Sequence, residues 1–269
     1  MNFANEQFLL TLLLYGAIVI VPWLTFCKLN LVSSYRINLG GKKNGSSHEV
    51  LSTIKSFIVL YGVFHLCGFL QDQDYLGFHQ DLPTWYYALS FPLVVLIHDA
   101  YFYWTHYLMH KSRFFHQFHK EHHKSHDATP LDVFAFHPVE AFIHFIFFAI
   151  YPMIIPTTLP VMQFMFVWML VCNSAGHLPY EFYPKFLYDF PIIRQFNAAT
   201  HHQMHHKYYN SNFSIYYNWW DRWMGTNHKD YFVTYRKVKA RQTSLLKKPN
   251  LEDFSPKSLN TLPQLSHHE

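Results

Sequence analysis

Apolar residues are gathered into long runs separated by polar segments, a pattern that predicts a bundle of membrane helices. The runs cover residues 8–26, 54–70, 85–97 and 141–175. About 20 consecutive apolar residues are needed to cross a bilayer as a helix. The last run is too long for one span and contains three prolines, so we interpret it as a helical hairpin that enters and leaves the same side of the bilayer. We therefore expect an all-α integral membrane bundle of about four transmembrane helices, two spans plus this hairpin.

The polar segments between the runs predict how the rest of the chain is organised. The third run is expected to continue as a helix through Tyr103 and Trp104 and then to give way to a histidine-rich polar segment. A helical cap should therefore lie next to the spans. We expect a single membrane domain, 1–269, made of N-terminal spans at 1–105, a cap at 106–140 and 177–235, the hairpin at 141–176 and a basic, disordered tail at 236–269.

The distribution of basic residues predicts which side of the membrane the cap faces. Lys and Arg occur in 28–55, in 111–124 and after 184, and they are absent from 56–110 and 125–183. By the positive-inside rule, all the histidine-rich segments then face the cytoplasm. Since the short chain has no obvious retention signal, we favour a bacterial inner membrane over the endoplasmic reticulum.

Composition supports a membrane protein and excludes several other classes. Aromatic residues make up 20% and charged residues 14% of the chain, whereas soluble domains carry about 25% charged residues. The net charge of +4 is mild, and no basic stripe with stacking aromatics indicates nucleic-acid binding. Cys27, Cys67 and Cys172 form no C-x-x-C pair and lie in or beside apolar runs, so we expect neither a disulfide framework nor a thiolate metal site.

Histidine is the unusual residue, with 21 copies, and three sets of them have the spacing of one helix face. Residues at i, i+3 and i+4 lie on the same side of a helix, so each set can direct several imidazoles to one point. His177 is a candidate ninth member of the constellation. The three sets are His106 and His110; His119, His122 and His123; and His202, His205 and His206.

Eight or nine imidazoles are too many for one ion, because zinc takes four ligands and other first-row metals take up to six. This number of ligands suits two metal ions, so we predict a dinuclear site. Imidazole suits iron, zinc, copper and nickel, while the missing thiolates exclude iron–sulfur clusters. Other polar residues near the sets are candidates to orient the imidazoles or to serve as extra ligands. These are His98, Asp99, Glu140, Glu181, His201 and Asp221.

Two stretches of the chain resemble a known family. Residues 98–140 read HDAYFYWTHYLMHKSRFFHQFHKEHHKSHDATPLDVFAFHPVE, and residues 201–226 read HHQMHHKYYNSNFSIYYNWWDRWMGT. Both resemble the fatty acid hydroxylase superfamily, also called the sterol desaturase family, and are most similar to sterol C5-desaturases and their bacterial relatives. The motifs cover residues 90–228, roughly half of the chain.

The resemblance implies a bundle of transmembrane helices under a cytosolic cap that holds two iron ions, with zinc as a substitute in purified samples. The family's three histidine boxes fall on the three sets above. Some members have H-x-x-x-H before the third box, where this chain has Asn173 and His177. His177 therefore carries over as a ligand, and Asn173 carries over as an extra ligand or as a donor. Tyr107 replaces the arginine that many members have there.

The implied activity is O2-dependent oxidation of a lipid C–H bond, hydroxylation or desaturation, on a sterol or fatty acyl chain. The chain has no Gly-rich dinucleotide fingerprint, so we expect an external electron donor, a b-type cytochrome or a ferredoxin with its reductase. Two other classes stay open. A dinuclear zinc membrane hydrolase could use the same ligands. A histidine-rich metal transporter would need ionisable groups within the spans.

Overall fold

The structure is a computed structural model that describes residues 3–28, 36–37, 46–79, 82–125 and 128–247. Within these ranges all regular elements are helices, and β-pairing is limited to isolated bridges. The all-α prediction is confirmed. The helices are α1 (Phe3–Tyr15), α2 (Ser46–Asp72), α3 (Thr84–Lys111), α4 (Arg113–His119), α5 (Pro138–Phe145), α6 (Phe147–Ile154), α7 (Leu159–Gly176), α8 (Lys185–Tyr188), α9 (Ala199–Tyr208), α10 (Trp219–Trp223) and α11 (Tyr231–Lys247).

Three helices are long and apolar enough to cross a membrane, which identifies an integral membrane protein. The first runs Phe3–Lys28, because α1 continues through the π-helical turns Gly16–Ile20 and Trp23–Lys28; the others are Ser47–Asp72 and Leu159–Gly176. Pro138–Ile154 is a shorter apolar helix. These elements are the two spans and the two arms of the hairpin, as predicted.

The two arms of the hairpin are separated at residues 155–158, where Pro156 interrupts the helix. The segment after α2 runs beside the hairpin tip, where the backbone N–H of Gly77 donates to the carbonyl of Pro152 at 2.7 Å and the N–H of Thr157 donates to the carbonyl of Gly77 at 2.9 Å. These bonds satisfy backbone groups that a proline-broken helix leaves unpaired. A Cβ on Gly77 would lie 3.0 Å from the Pro152 carbonyl oxygen, so a side chain here would crowd the tip.

The residues that flank the two arms of the hairpin both pack against His122. The ring of His122 lies 5.1 Å from the ring of Phe136, just before the first arm, and 5.5 Å from that of His177, just after the second arm. The third apolar run forms α3, which is continuous from Thr84 to Lys111 and carries the first histidine set on its last two turns. The spans and the hairpin thus deliver histidines to one end of the bundle.

The expected start of the tail at residue 236 is wrong. Residues 236–247 continue α11, which begins at Tyr231. Tyr231, Tyr235 and Val238 recur at helical spacing and are buried, the first two against Met204 of α9 and the last against Ala199. This apolar stripe holds the helix on the cap despite the many charges on its outer side. Residues 248–269, and most of the predicted loop at 28–50, lie outside the described residues.

Candidate metal centre

Five of the nine predicted ligands lie together in a first cluster, called here the five-histidine group. One ring nitrogen from each residue lies within 4.8 Å of those of the others, and all five side chains are buried. They come from the last two turns of α3, the end of α4, the turn after it and α9. The members are His106, His110, His119, His123 and His205.

The other four form a second cluster by the same criterion, called here the four-histidine group: His122, His177, His202 and His206. His177 joins it from the C-terminal end of α7. The two groups are adjacent, since the rings of His123 and His206 lie 4.9 Å apart.

On α9, the division between the groups is compatible with helix geometry. Residues four apart differ by about 40° around a helix, whereas residues three apart differ by about 60° in the opposite direction. In the third box, on α9, the i, i+4 pair lies in one group and the residue between them lies in the other. The second box is divided in the same way, although it spans the end of α4 and the short 3₁₀ turn after it. The pair His202 and His206 belongs to the four-histidine group, and His205 belongs to the five-histidine group.

The Nδ1 atoms of several ligands are fixed as hydrogen-bond donors. A carbonyl oxygen can only accept, so an Nδ1 that faces one must carry the ring proton. His106 Nδ1 donates to the carbonyl of Phe213 at 2.6 Å, and His205 Nδ1 donates to that of Ser211 at 2.7 Å. The same arrangement recurs in the four-histidine group, where His206 donates to the carbonyl of Ser125 at 2.9 Å and His177 to that of Asn173 at 2.8 Å.

Burial keeps these imidazoles neutral. Desolvation is the largest cause that lowers the pKa of His119, to about 3, and the nearby His116 lowers it further. Burial also lowers the pKa of His122 and His206 well below the usual value, with neighbouring histidines adding to the effect. A neutral imidazole whose proton sits on Nδ1 presents a lone pair on Nε2.

The Nε2 atoms of neighbouring imidazoles face one another at short range. The Nε2 atoms of His106 and His119 are 3.1 Å apart, those of His123 and His205 are 3.0 Å apart, and those of His202 and His206 are 3.1 Å apart. His106 and His119 both hold their protons on Nδ1, so their Nε2 lone pairs face each other and repel unless a cation binds them. Metal–imidazole bonds are about 2.1 Å long, and two such bonds at right angles separate their nitrogens by about 3.0 Å. The observed spacing fits ligands on a shared metal ion.

Two buried carboxylates act on the ligands or on the helix that carries them. Glu140 Oε1 lies 2.6 Å from His119 Nδ1 and orients that imidazole. Glu181 Oε2 accepts from the backbone N–H of Thr200 at 2.9 Å and from its hydroxyl at 2.8 Å. Because Thr200 lies in the first turn of α9, Glu181 fixes the start of the helix that carries the third box.

Asp221 acts through the backbone of a loop. It accepts from the N–H groups of Phe213 at 2.8 Å and Ser214 at 2.9 Å. The carbonyl of Phe213 is the one that receives the proton of His106. Asp99 holds the continuation of the same loop, since it accepts from the N–H of Tyr216 at 3.1 Å. Both carboxylates therefore stabilise the loop rather than contacting a member of either group.

The remaining predicted residues lie outside both groups. His98 Nδ1 pairs with the hydroxyl of Tyr216 at 3.0 Å. His201 Nε2 lies 3.5 Å from a carboxylate oxygen of Asp221. The Asn173 side chain donates to the carbonyl of Val133 at 3.3 Å. Asn173 contacts a ligand through its backbone carbonyl, which accepts from His177 Nδ1.

Two residues near the centre, His144 and Tyr209, are not among the site residues predicted from the sequence. His144 stacks on Phe102 with ring centroids 5.0 Å apart, and its Nε2 lies 3.7 Å from Glu140 Oε1. Tyr209 packs on imidazoles of the five-histidine group. The spacing of His144 four residues after Glu140 was a usable signal, whereas nothing in the sequence marks Tyr209.

Comparison with known proteins identifies the family. The profile described as Fatty acid hydroxylase matches residues 91–226, which include both histidine groups. The chain belongs to the fatty acid hydroxylase family.

Curated relatives include sterol-modifying enzymes. The human protein named Lathosterol oxidase is 28% identical over 67% of this chain and 60% of its own length. The Delta(7)-sterol 5(6)-desaturase ERG3B of Gibberella zeae is 26% identical over 52% of this chain and 42% of its own length. The chain spans about half the length of the curated relatives it matches. No solved structure matches the chain significantly.

Proposed function

We propose that this chain is an oxidoreductase that uses O2 to hydroxylate or desaturate a C–H bond of a membrane lipid. Two iron ions would be held, one by the five-histidine group and one by the four-histidine group. An external electron carrier, a b-type cytochrome or a ferredoxin with its reductase, would supply the electrons. The cap would face the cytoplasm, in a bacterial inner membrane.

The observation that carries this proposal is the set of facing Nε2 atoms. They are 3.0 to 3.1 Å apart and buried. Each of the three pairs contains an imidazole whose Nδ1 donates to a carbonyl and whose Nε2 therefore carries a lone pair: His106, His205 or His206. A protein interior tolerates such an arrangement when a cation neutralises it. Further ring nitrogens support the same conclusion, because both nitrogens of His110 are buried and have no hydrogen-bond partner among the described residues.

The ligand chemistry favours redox metal over structural metal. Neutral imidazoles bind iron without adding negative charge, and Glu140 beside His119 increases the basicity of that ligand. Iron bound here would supply the activation of O2 needed to attack an unreactive C–H bond. The chain's own residues hold the ligands in place: the carbonyls of Phe213 and Ser211 keep the Nδ1 protons of His106 and His205 away from the metal side.

The position of the centre supports a lipid substrate. His177 follows directly on α7, which is long and apolar enough to span the membrane. The four-histidine group therefore lies next to the end of a membrane-spanning helix, the side from which a lipid in the bilayer would approach. The relatives named lathosterol oxidase and sterol desaturase favour a sterol or a similar fused-ring lipid, with a fatty acyl chain as the other candidate.

The direct test is product analysis with isotopically labelled O2. The full chain in lipid nanodiscs is loaded with iron and given a host lipid extract, ferredoxin, ferredoxin reductase and NADPH. We expect a lipid that has gained one labelled oxygen atom or lost two hydrogens, and no product from His122→Ala. His65→Ala is the matched control, because His65 lies in α2 outside both groups.

Two outcomes would overturn the proposal. Turnover under strict anaerobiosis with zinc bound would indicate a hydrolase. Metal accumulation inside sealed vesicles without lipid oxidation would indicate a transporter.

A further inference from the structure

Tyr209, the residue that ends α9, has a backbone conformation that side chains rarely adopt. Its φ is +67° and its ψ is −41°. Glycine is the usual residue at positive φ after a helix. Non-glycine residues in such conformations concentrate at functional sites, where the surrounding structure holds them in place.

The contacts of Tyr209 connect the five-histidine group with the cap surface. Its ring lies 4.6 Å from the ring of His110 and 4.4 Å from that of His123, edge to face in both cases. Its hydroxyl pairs with His116 Nε2 at 3.1 Å. His116 belongs to neither histidine group and is partly exposed. A continuous path of two side chains therefore leads from the cap surface to two imidazoles of the five-histidine group.

Positive charge surrounds the outer end of this path. Arg113, His116 and Lys120 are spaced i, i+3 and i+7 along α4 and its C-terminal cap, so they share one face. Arg113 and Lys120 are exposed, and Lys111 is exposed at the end of α3. The nearby acidic residue, Glu121, is turned away to Ser52 and Lys55, with only 13% of its side chain exposed. Arg113, Lys111 and Lys120 are called here the basic rim.

We propose that an acidic one-electron carrier protein docks on the basic rim and that its electrons reach the five-histidine group through His116 and Tyr209. This inference rests on the proposed function and names the partner surface of that same site. In each docking event the carrier is oxidised by one electron and the bound metal ion is reduced by one. Two such transfers, with two protons and one O2, balance the insertion of one oxygen atom into a C–H bond and the release of one water.

The basic rim has the charge that an acidic electron carrier needs for docking. Electron-transfer contacts are small and short-lived, and complementary charge guides their encounter. The ring of Tyr209 packs directly on two of the ligands. An electron can therefore reach the metal side while the carrier stays bound at the cap surface. Anionic lipid headgroups would also be attracted to the rim, but they give no reason for Tyr209 to bridge His116 and the ligands.

The docking surface is tested by charge reversal, with binding as the first readout. The acidic soluble haem domain of a b-type cytochrome is titrated onto metal-free protein in nanodiscs of neutral lipid at low salt. We expect Arg113→Glu/Lys120→Glu to raise the Kd at least tenfold. Arg236→Glu/Lys237→Glu, two exposed changes on α11, is the matched control and should shift the Kd less than twofold.

The path is tested by the rate of iron reduction by the reduced haem domain, divided for each variant by the rate with dithionite. We expect this ratio to fall at least tenfold in Tyr209→Leu and by a smaller factor in Tyr209→Phe, which keeps the ring and loses the bond to His116. Tyr208→Phe is the control, because the Tyr208 ring stacks on His228, away from the ligands, at 4.4 Å.

The outcomes separate this inference from the proposed function. Iron that dithionite cannot reduce, or a chain that binds no iron, would overturn both. Normal reduction by dithionite with an unchanged Kd and an unchanged ratio in the variants would overturn the inference alone. A loss of binding to anionic vesicles in Arg113→Glu/Lys120→Glu, with carrier binding intact, would assign the rim to headgroups instead.

Discussion

The two histidine groups are adjacent but are held in different ways. In the five-histidine group, His106 and His119 are fixed by partners from other elements, a loop carbonyl at Phe213 and the carboxylate of Glu140. In the four-histidine group, His177 is fixed by a carbonyl of its own helix, four residues earlier, and His206 is fixed by the carbonyl of Ser125. The first group lies beneath Tyr209 of the cap, and the second lies at the end of the hairpin.

The centre therefore depends on two separate sets of supporting contacts. The five-histidine group depends on tertiary contacts that bring loop 211–214 and α5 against α3 and α4. The four-histidine group depends on the hairpin helix that ends at His177 and on the Ser125 carbonyl that holds His206. Changes in distant segments should therefore disturb the two groups unequally.

The largest expected effect comes from removing one ligand in either group. His119→Ala and His202→Ala should each lower the metal content from two ions to one per chain and reduce lipid oxidation at least 100-fold, because both ions are needed. Elemental analysis of freshly purified protein measures the first value and product formation measures the second. If either variant loses both ions together, the two groups do not bind independently.

A smaller effect is expected when the charge next to His119 is removed. Glu140→Gln should weaken metal binding in the five-histidine group by about tenfold and leave the four-histidine group unchanged. Glu121→Gln is the control, because Glu121 lies between two ligands in the sequence but turns to Ser52. Competition with a chelator reports both affinities, and equal weakening in the two groups would contradict the account.

The metal-free protein should lose stability in acid. His119 has a folded pKa of about 3, below the unfolded value of about 6.5. Its contribution is therefore fully present above pH 6.5 and is lost as the pH falls toward the folded pKa. At pH 5.5 the loss is about 1 kcal/mol for each such histidine. Tm measured between pH 7.5 and 5 should fall, and His119→Gln should flatten that slope. A Tm independent of pH would show that the histidines titrate normally.

The smallest effect is expected at Asn173. Its side chain donates to the carbonyl of Val133, and its backbone carbonyl orients His177. Asn173→Ala keeps the backbone contact, so the metal content should stay at two ions per chain while stability falls by about 1 kcal/mol. Loss of the ion from the four-histidine group would instead show that the amide is a ligand.

Much of the fold could be predicted from the sequence because its signals are local. The apolar runs and their prolines predicted the spans and the hairpin, and all nine candidate ligands came from i, i+3, i+4 spacing and the family motifs. The predicted start of the tail at residue 236 was wrong, because the charged residues of α11 obscure its buried apolar stripe of Tyr231, Tyr235 and Val238.

The partition and support of the ligands depend on tertiary structure. Spacing alone brings a box to one helix side, but it does not say that His202 and His205 serve different groups. The acceptors for the Nδ1 protons of His106 and His205 are backbone carbonyls, and every residue has one, so no residue type marks them. The positive φ of Tyr209 likewise has no signature in the sequence.

We propose that the two histidine groups bind two iron ions through imidazole nitrogen. The most direct test of this proposal is iron content combined with X-ray absorption on freshly prepared, unstripped protein. We expect two irons per chain, with a first coordination shell dominated by nitrogen at about 2.1 Å. One iron per chain, a sulfur-rich shell or protein free of metal would contradict it.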